Sequence, residues 1–228
     1  MRSAKTRNYL AAMDIQVWES RMPRRVDSSP AGRAVDQAQR GNVDAVWDRL
    51  AETVASCTRC ELAQTRTRTV FGTGDRKATW MFVGEAPGAE EDRRGLPFVG
   101  RAGRLLDAML SAMGMQREDV YIANVLKCRP PNNRDPLGVE VGSCEPYLHQ
   151  QVELVEPRII IALGRFAAQS LLRTTQSIGK LRGQVFPYRE TGIPLLVTYH
   201  PAYLLRNPLD KRKAWEDLCR AKTLLEAS

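Results

Sequence analysis

Short apolar runs alternate with longer amphipathic segments, and that alternation constrains the fold more than any other feature of the chain. Residues 79–83, 120–124, 158–163 and 193–198 each have the length and the β-branched or aromatic content of a strand. Segments of helical period lie between them. Residues 102–113 place Leu105, Leu106, Met109 and Leu110 on one face. Residues 139–155 read as helix between Pro136 and Pro157, and Pro146 predicts a break or kink in the first part. Residues 166–172 and 209–225 read as two further helices. Strands alternating with helices imply a parallel sheet covered on both faces. The predicted fold class is therefore α/β, a three-layer α/β/α sandwich with a central four-stranded, mainly parallel sheet.

The amino-terminal part differs from the rest. Residues 1–42 carry Arg2, Lys5, Arg7, Arg21, Arg24, Arg25, Arg33 and Arg40 against Asp14, Glu19, Asp27 and Asp36, with Pro23, Pro30 and Gly32 between them. The segment predicts a basic, disordered extension, followed by one folded domain over residues 43–228. Val43, Val46, Trp47, Leu50 and Val54 recur at helical spacing and open that domain. The net charge of +8 favours a polyanionic partner. No apolar run reaches the roughly 18 residues of a membrane span. Five cysteines are an odd count, and no secretory signal is recognisable, so a reducing, cytoplasmic setting is expected.

Four of the cysteines have the pattern of a metal site. Cys57 and Cys60 form a Cys-x-x-Cys pair, and Cys128 and Cys144 lie far downstream. Four thiolates suit a [4Fe–4S] cluster. They suit a tetrahedral zinc equally well, so spacing alone leaves the metal open. Cys219, on the last predicted helix, falls outside this order and is expected to pack.

In a parallel sheet, ligands bind beyond the carboxyl ends of the strands. The first strand is followed by Gly84-Glu85-Ala86-Pro87-Gly88 and then Ala89-Glu90-Glu91-Asp92, with Leu96-Pro97-Phe98-Val99-Gly100 after it. The second strand delivers Asn124. The fourth delivers His200, followed by Pro201-Ala202-Tyr203-Leu204-Leu205-Arg206. Each is weak alone, because turns and strand ends commonly carry such residues. Their convergence on one sheet edge is the signal.

These segments, together with Asn124-Val125-Leu126-Lys127-Cys128-Arg129-Pro130 and Leu163-Gly164, resemble the family 4 uracil-DNA glycosylases, the iron–sulfur branch of that superfamily, over about residues 50–220. The resemblance implies a monofunctional enzyme that hydrolyses the N-glycosidic bond of uracil in DNA and leaves an abasic site. It implies a [4Fe–4S] cluster on Cys57, Cys60, Cys128 and Cys144. Phe98 resembles the residue that stacks beneath the flipped uracil, Asn124 the residue that reads its edge, and His200 the donor to O2. Gly84 and Ala86 belong to the substrate-binding turn, and Glu85 and Glu91 are candidates for holding water or the positive sugar. Leu204, Leu205 and Arg206 resemble a wedge that enters the minor groove. Arg129, Arg134, Lys180, Arg182 and the run Lys211-Arg212-Lys213 are candidates for phosphate contacts. The implied protein is a monomer acting on uracil-containing DNA near the nucleoid.

Two other readings compete. A DNA-crosslinking relative of the family would carry Gln where this chain has Ala86, and an inserted basic loop with a His. This chain has only Asp92-Arg93-Arg94-Gly95-Leu96 there. A noncatalytic iron–sulfur DNA-binding or polymerase-associated module would have no need to keep Phe98, Asn124 and His200 together.

Overall fold

The computed structural model describes residues 30–227, with side chains described from Val43 onward. The chain divides into the units Met1–Asn42 and Val43–Ser228. The expected disorder of residues 1–29 lies outside the described residues. Residues 30–42 are helical, as the first part of helix α1 (Pro30–Ala55). Within the second unit, Trp47, Leu50 and Val54 are the buried stripe of α1, while Val43 and Val46 stay exposed.

The sheet has six strands rather than four: β1 (Thr73–Gly74), β2 (Trp80–Gly84), β3 (Tyr121–Asn124), β4 (Ile159–Leu163), β5 (Val185–Tyr188) and β6 (Ile193–Thr198), in the order β1-β3-β2-β4-β6-β5. The four strands expected from sequence form the parallel centre. The two additional strands cap its edges in antiparallel register. β1 has two residues, one of them Gly74 with φ 121°. β5 contains Pro187, whose missing N–H suits an edge strand.

Alternate residues of the central strands face two separate cores. On one face Met81, Val83, Ala123, Ile160, Ala162, Leu195 and Val197 pack with Trp47, with Leu148, Val152 and Val155 of α5 (Gly138–Val155), and with Ala167, Ala168 and Leu171 of α6 (Arg165–Leu172). On the other face Phe82, Ile122, Ile159, Ile161, Leu163 and Leu196 pack with Leu106 and Leu110 of α4 (Arg101–Ala112) and with Leu218 and Ala221 of α9 (Lys211–Glu226). The three-layer sandwich follows from the period of two along each strand. Helix α5 continues through Pro146, so of the break or kink expected there the break does not occur. The carbonyl that Pro146 leaves without its donor belongs to Gly142, a residue without a side chain around which the turn can relax. No helix among the described residues is long and apolar enough to cross a membrane.

β3 and β4 lie on opposite sides of β2. The chain therefore reverses its direction of travel across the sheet after β3, and the crevice opens at the carboxyl ends of these strands.

Candidate active site

That crevice is a cavity of about 460 Å³ lined by Glu85, Ala86, Pro87, Gly88, Glu91, Phe98, Asn124, His200, Tyr203 and Arg206, among others. The three residues expected to hold a base therefore line one pocket. Glycine makes this convergence possible. A Cβ on Gly84 would stand 2.4 Å from Asn124 Oδ1 and 2.6 Å from Phe98 Cζ. A Cβ on Gly164, which has φ +93°, would meet His200 Cβ at 2.7 Å. The phenyl ring of Phe98 and the imidazole of His200 lie 5.6 Å apart, tilted by 31°.

Phe98 is held in a left-handed conformation, φ 52°, which a bulky residue adopts only under constraint. The loop is gripped on both sides. Arg117 donates to the carbonyl of Phe98 at 3.1 Å and to that of Pro97, and pairs with Asp107 at 2.9 Å. Glu91 Oε1 accepts from the N–H groups of Val99 and Gly100, both at 2.9 Å. Gly103 leaves room for the turn, since a Cβ there would collide with the Phe98 carbonyl oxygen at 1.7 Å. The geometry of Glu91 thus makes it a clamp on the Phe98 loop, with one oxygen committed to the main chain. Arg117 had no sequence signal, and nothing in the sequence showed that Gly103 makes room for a main-chain carbonyl.

Asn124 is 2% exposed, and its Oδ1 has no hydrogen-bond partner. A buried amide oxygen left unpaired costs about 1–3 kcal/mol, so its presence beside a cavity points to a ligand donor. His200 caps α8 (Pro201–Arg206), its Nδ1 accepting from the N–H of Ala202 at 3.1 Å. The proton of the neutral ring is thereby assigned to Nε2. Burial, reinforced by Arg206 and opposed by Glu91, lowers the His200 pKa to about 4. The imidazole is therefore a neutral donor at physiological pH. Glu85 follows β2 and is raised to about 6, first by burial and then by the Asp135 carboxylate, with Arg165 opposing.

The segment after His200 divides. Leu204 is 1% exposed and sits with Leu105, Met109 and Leu218 between α4 and α9. Leu205 and Arg206 are exposed, so of the expected wedge only these two reach solvent. The buried residues of α8, Pro201 and Leu204, stand three apart on one face of the helix, and that phase was not legible in the sequence. Tyr203 is fixed by a 2.6 Å hydrogen bond to Asp210 and stacks on Tyr199. Among the expected phosphate contacts, Arg182 is committed to the buried Asp217, with the shortest contact at 2.6 Å. Arg134 is paired with Glu140 and Arg129 with Asn133. Lys180, Lys211, Arg212 and Lys213 are exposed, and Lys213 pairs with Asp210 at 2.8 Å.

Cys57, Cys60, Cys128 and Cys144 are free thiols that gather behind the pocket. Cys128 lies within electrostatic range of Cys57 and Cys60, and Cys144 within that of Cys128 and Cys60. Cys60, Cys128 and Cys144 pack with Leu62, Leu126 and Ala86, so the pocket turn touches this cradle. Arg66 donates to Cys128 Sγ and Tyr147 to Cys57 Sγ, each at 3.2 Å, and the Lys127 N–H bonds Cys144. Such donors stabilise sulfur that carries negative charge. Burial pushes Cys144 up to about 11, so at neutral pH it would ionise only if a metal displaced its proton. Among the described residues no three of these side chains stand close enough to share a single metal ion. Cys219 is exposed on α9 rather than packed.

A family model described as the uracil DNA glycosylase superfamily matches residues 71–219. The chain is 47% identical over 167 residues to a type-4 uracil-DNA glycosylase of Archaeoglobus fulgidus, covering 71% of this chain and 84% of that protein. It is 44% identical over 187 residues to one of Saccharolobus solfataricus, covering 79% and 87%. A type-4 uracil-DNA glycosylase of Thermotoga maritima is 44% identical over 180 residues, with 78% and 93% covered.

Proposed function

The chain belongs to the uracil DNA glycosylase superfamily, in its type-4 branch, and on that premise we propose that it is a monofunctional uracil-DNA glycosylase that opens base excision repair. The observation that carries the reading is the buried, unpaired Oδ1 of Asn124, facing a cavity that Phe98 and His200 also line. A base inside a duplex is out of reach, so the uridine is flipped into the pocket. Uracil stacks on Phe98. Its N3–H donates to Asn124 Oδ1, and its O4 accepts from the amide nitrogen. Cytosine presents an unprotonated N3 and an amino group to the same two atoms, so both pairings fail, at about 1–3 kcal/mol for each buried group left unsatisfied.

The C1′–N1 bond breaks with its electron pair leaving on uracil, and the charge spreads to O2. The Nε2–H of His200 and the main-chain N–H groups of Glu85, Ala86 and Gly88 are the donors available to stabilise it, in the manner of an oxyanion hole. Leaving-group stabilisation of this kind needs His200 neutral, as its lowered pKa makes it. Glu85 is the carboxylate at the pocket not committed to the main chain, and it suits holding water or facing the cationic sugar. Leu205 and Arg206 fill the space of the flipped base, an apolar wedge beside a cation.

Cys57, Cys60, Cys128 and Cys144 would hold a [4Fe–4S] cluster. Thiolates that share one zinc at about 2.3 Å crowd together, whereas those of a cubane bind separate irons and stand wider apart. The cluster would supply a cross-link between the loops behind the pocket, since hydrolysis of the bond moves no electron. The same reading makes the protein a monomer, working on chromosomal DNA in the cytoplasm. Incubation of the purified protein with a uracil-containing oligonucleotide, followed by alkali, tests it. Strand scission at the uracil is expected. A protein–DNA adduct that survives denaturation would indicate the crosslinking relative instead, and an intact, unmodified strand would leave a binding module.

A further inference from the structure

Lys127 is 1% exposed and lies behind the pocket rather than in it. Its Nζ donates to the main-chain carbonyl of Asn124 at 2.9 Å and to Gln151 Oε1 at 2.6 Å. Gln151, wholly buried, has its orientation fixed. Its Nε2 donates to the Phe71 carbonyl at 2.9 Å and to the Tyr121 hydroxyl at 3.0 Å, so Oε1 must face Lys127. The main chain of Lys127 is tied as well. Its carbonyl accepts from Val70 at 2.7 Å, and its N–H bonds the Cys144 thiol. Asn124 is the last residue of β3, where the chain leaves the sheet. Its neighbours Val125 and Leu126 donate to the Gly84 and Glu85 carbonyls at 2.9 and 3.0 Å.

Burying a lysine is costly, and a methionine of similar length would fill the same space. What methionine cannot do is hold the Asn124 carbonyl. We propose that Lys127 is a positioning residue for base discrimination: its side-chain amino group, oriented by Gln151, fixes the Asn124 main chain so that the side-chain amide meets the uracil edge, and its N–H roots that arrangement in the cysteine cradle. The proposal rests on the reading of Asn124 as the residue that contacts the base.

The test is a double-mutant cycle of Lys127→Met with Asn124→Ala in the full-length protein, read by single-turnover excision from a uracil oligonucleotide and by equilibrium binding of free uracil. Melting temperature and the absorbance near ~400 nm expected of a thiolate-bound cluster serve as controls. Lys127→Met is expected to lose about 10²-fold in excision, the scale of a 1 Å misplacement, and to weaken uracil binding. In the Asn124→Ala background the same change is expected to cost little, because nothing is left to position. Gln151→Met, which keeps the lysine, is expected to give a smaller loss with the same non-additivity. The proposal is overturned if both variants match the wild type, or if their losses are unchanged in the Asn124→Ala background. Full uracil activity in Asn124→Ala alone would instead overturn the reading of Asn124, and the positioning role with it.

Discussion

At the scale of single residues, the site works by presenting unpaired groups of the right kind, and two predictions follow from their ionisation. His200 donates through Nε2 because Nδ1 is occupied by the Ala202 N–H. Replacement of His200 by Ala is expected to slow single-turnover excision by about 10²–10³-fold, the usual cost of one such donor, with little effect on DNA binding. Glu85 has a raised pKa of about 6. Because the folded state holds that proton more tightly than the unfolded chain, stability from this group falls as pH rises from the ordinary carboxylate value through about 6. In the role proposed for Glu85, holding water or facing the cationic sugar, the working form is the ionised one. Excision is therefore expected to decline as pH drops through about 6, and Glu85→Gln is expected to remove that limb, lower the rate, and raise the melting temperature at pH 7. A Glu85→Gln protein with an unchanged pH profile would show that another group titrates. No limb near the ordinary histidine value is expected, since His200 is already neutral there. That Phe98, Asn124 and His200 line one pocket was legible from the order of the strands, since the segments that carry them follow strands of one parallel sheet. The hold of Glu91 on the Phe98 loop was not legible, because its partners there are the main-chain N–H groups of Val99 and Gly100. Lys127 stood in a quoted motif with nothing to mark it as buried.

At the scale of elements, the proposed recognition rests on the Phe98 loop and helix α8. The loop holds a left-handed Phe98 between Arg117 and Glu91. Glu91→Ala frees two N–H groups and is expected to cost about 10²-fold in excision by letting the ring drift. Glu91→Gln, which still offers an oxygen acceptor, is expected to retain most activity. Equal losses in the two variants, measured in single turnover, would return Glu91 to a chemical role that depends on its charge. On α8, Leu205→Ala is expected to reduce excision from duplex more than from single-stranded substrate, because only the duplex needs a filler for the flipped base. Leu204→Ala is expected instead to lower the melting temperature by opening a buried cavity, at about 2–5 kcal/mol. The four central strands were readable from their apolar runs. The edge strands β1 and β5 were not: β1 has only two residues and pairs with β3, and Pro187 interrupts the short β5, although Phe186 and Tyr188 pack into the core. Pro146 does not end α5, since the carbonyl it leaves without a donor belongs to Gly142 one turn earlier.

At the scale of the whole molecule, the sheet sets the pocket on one side of its carboxyl edge, and the cysteine cradle braces the turn that lines it. Ala86 touches both. Cys144→Ala is expected to abolish the absorbance near ~400 nm and to lower the melting temperature, with excision falling through loss of order in the pocket rather than loss of a chemical group. Retention of the absorbance in this variant would remove Cys144 from the ligand set. The account converges on one arrangement, a uracil ring on Phe98 between Asn124 and His200, and a structure of the full-length protein with free uracil measures it directly. The expected result is a ring parallel to the Phe98 side chain, N3 within hydrogen-bond distance of Asn124 Oδ1 and O2 within that of His200 Nε2. Uracil bound away from this pocket, or bound in it with its N3 edge turned from Asn124, would contradict the account.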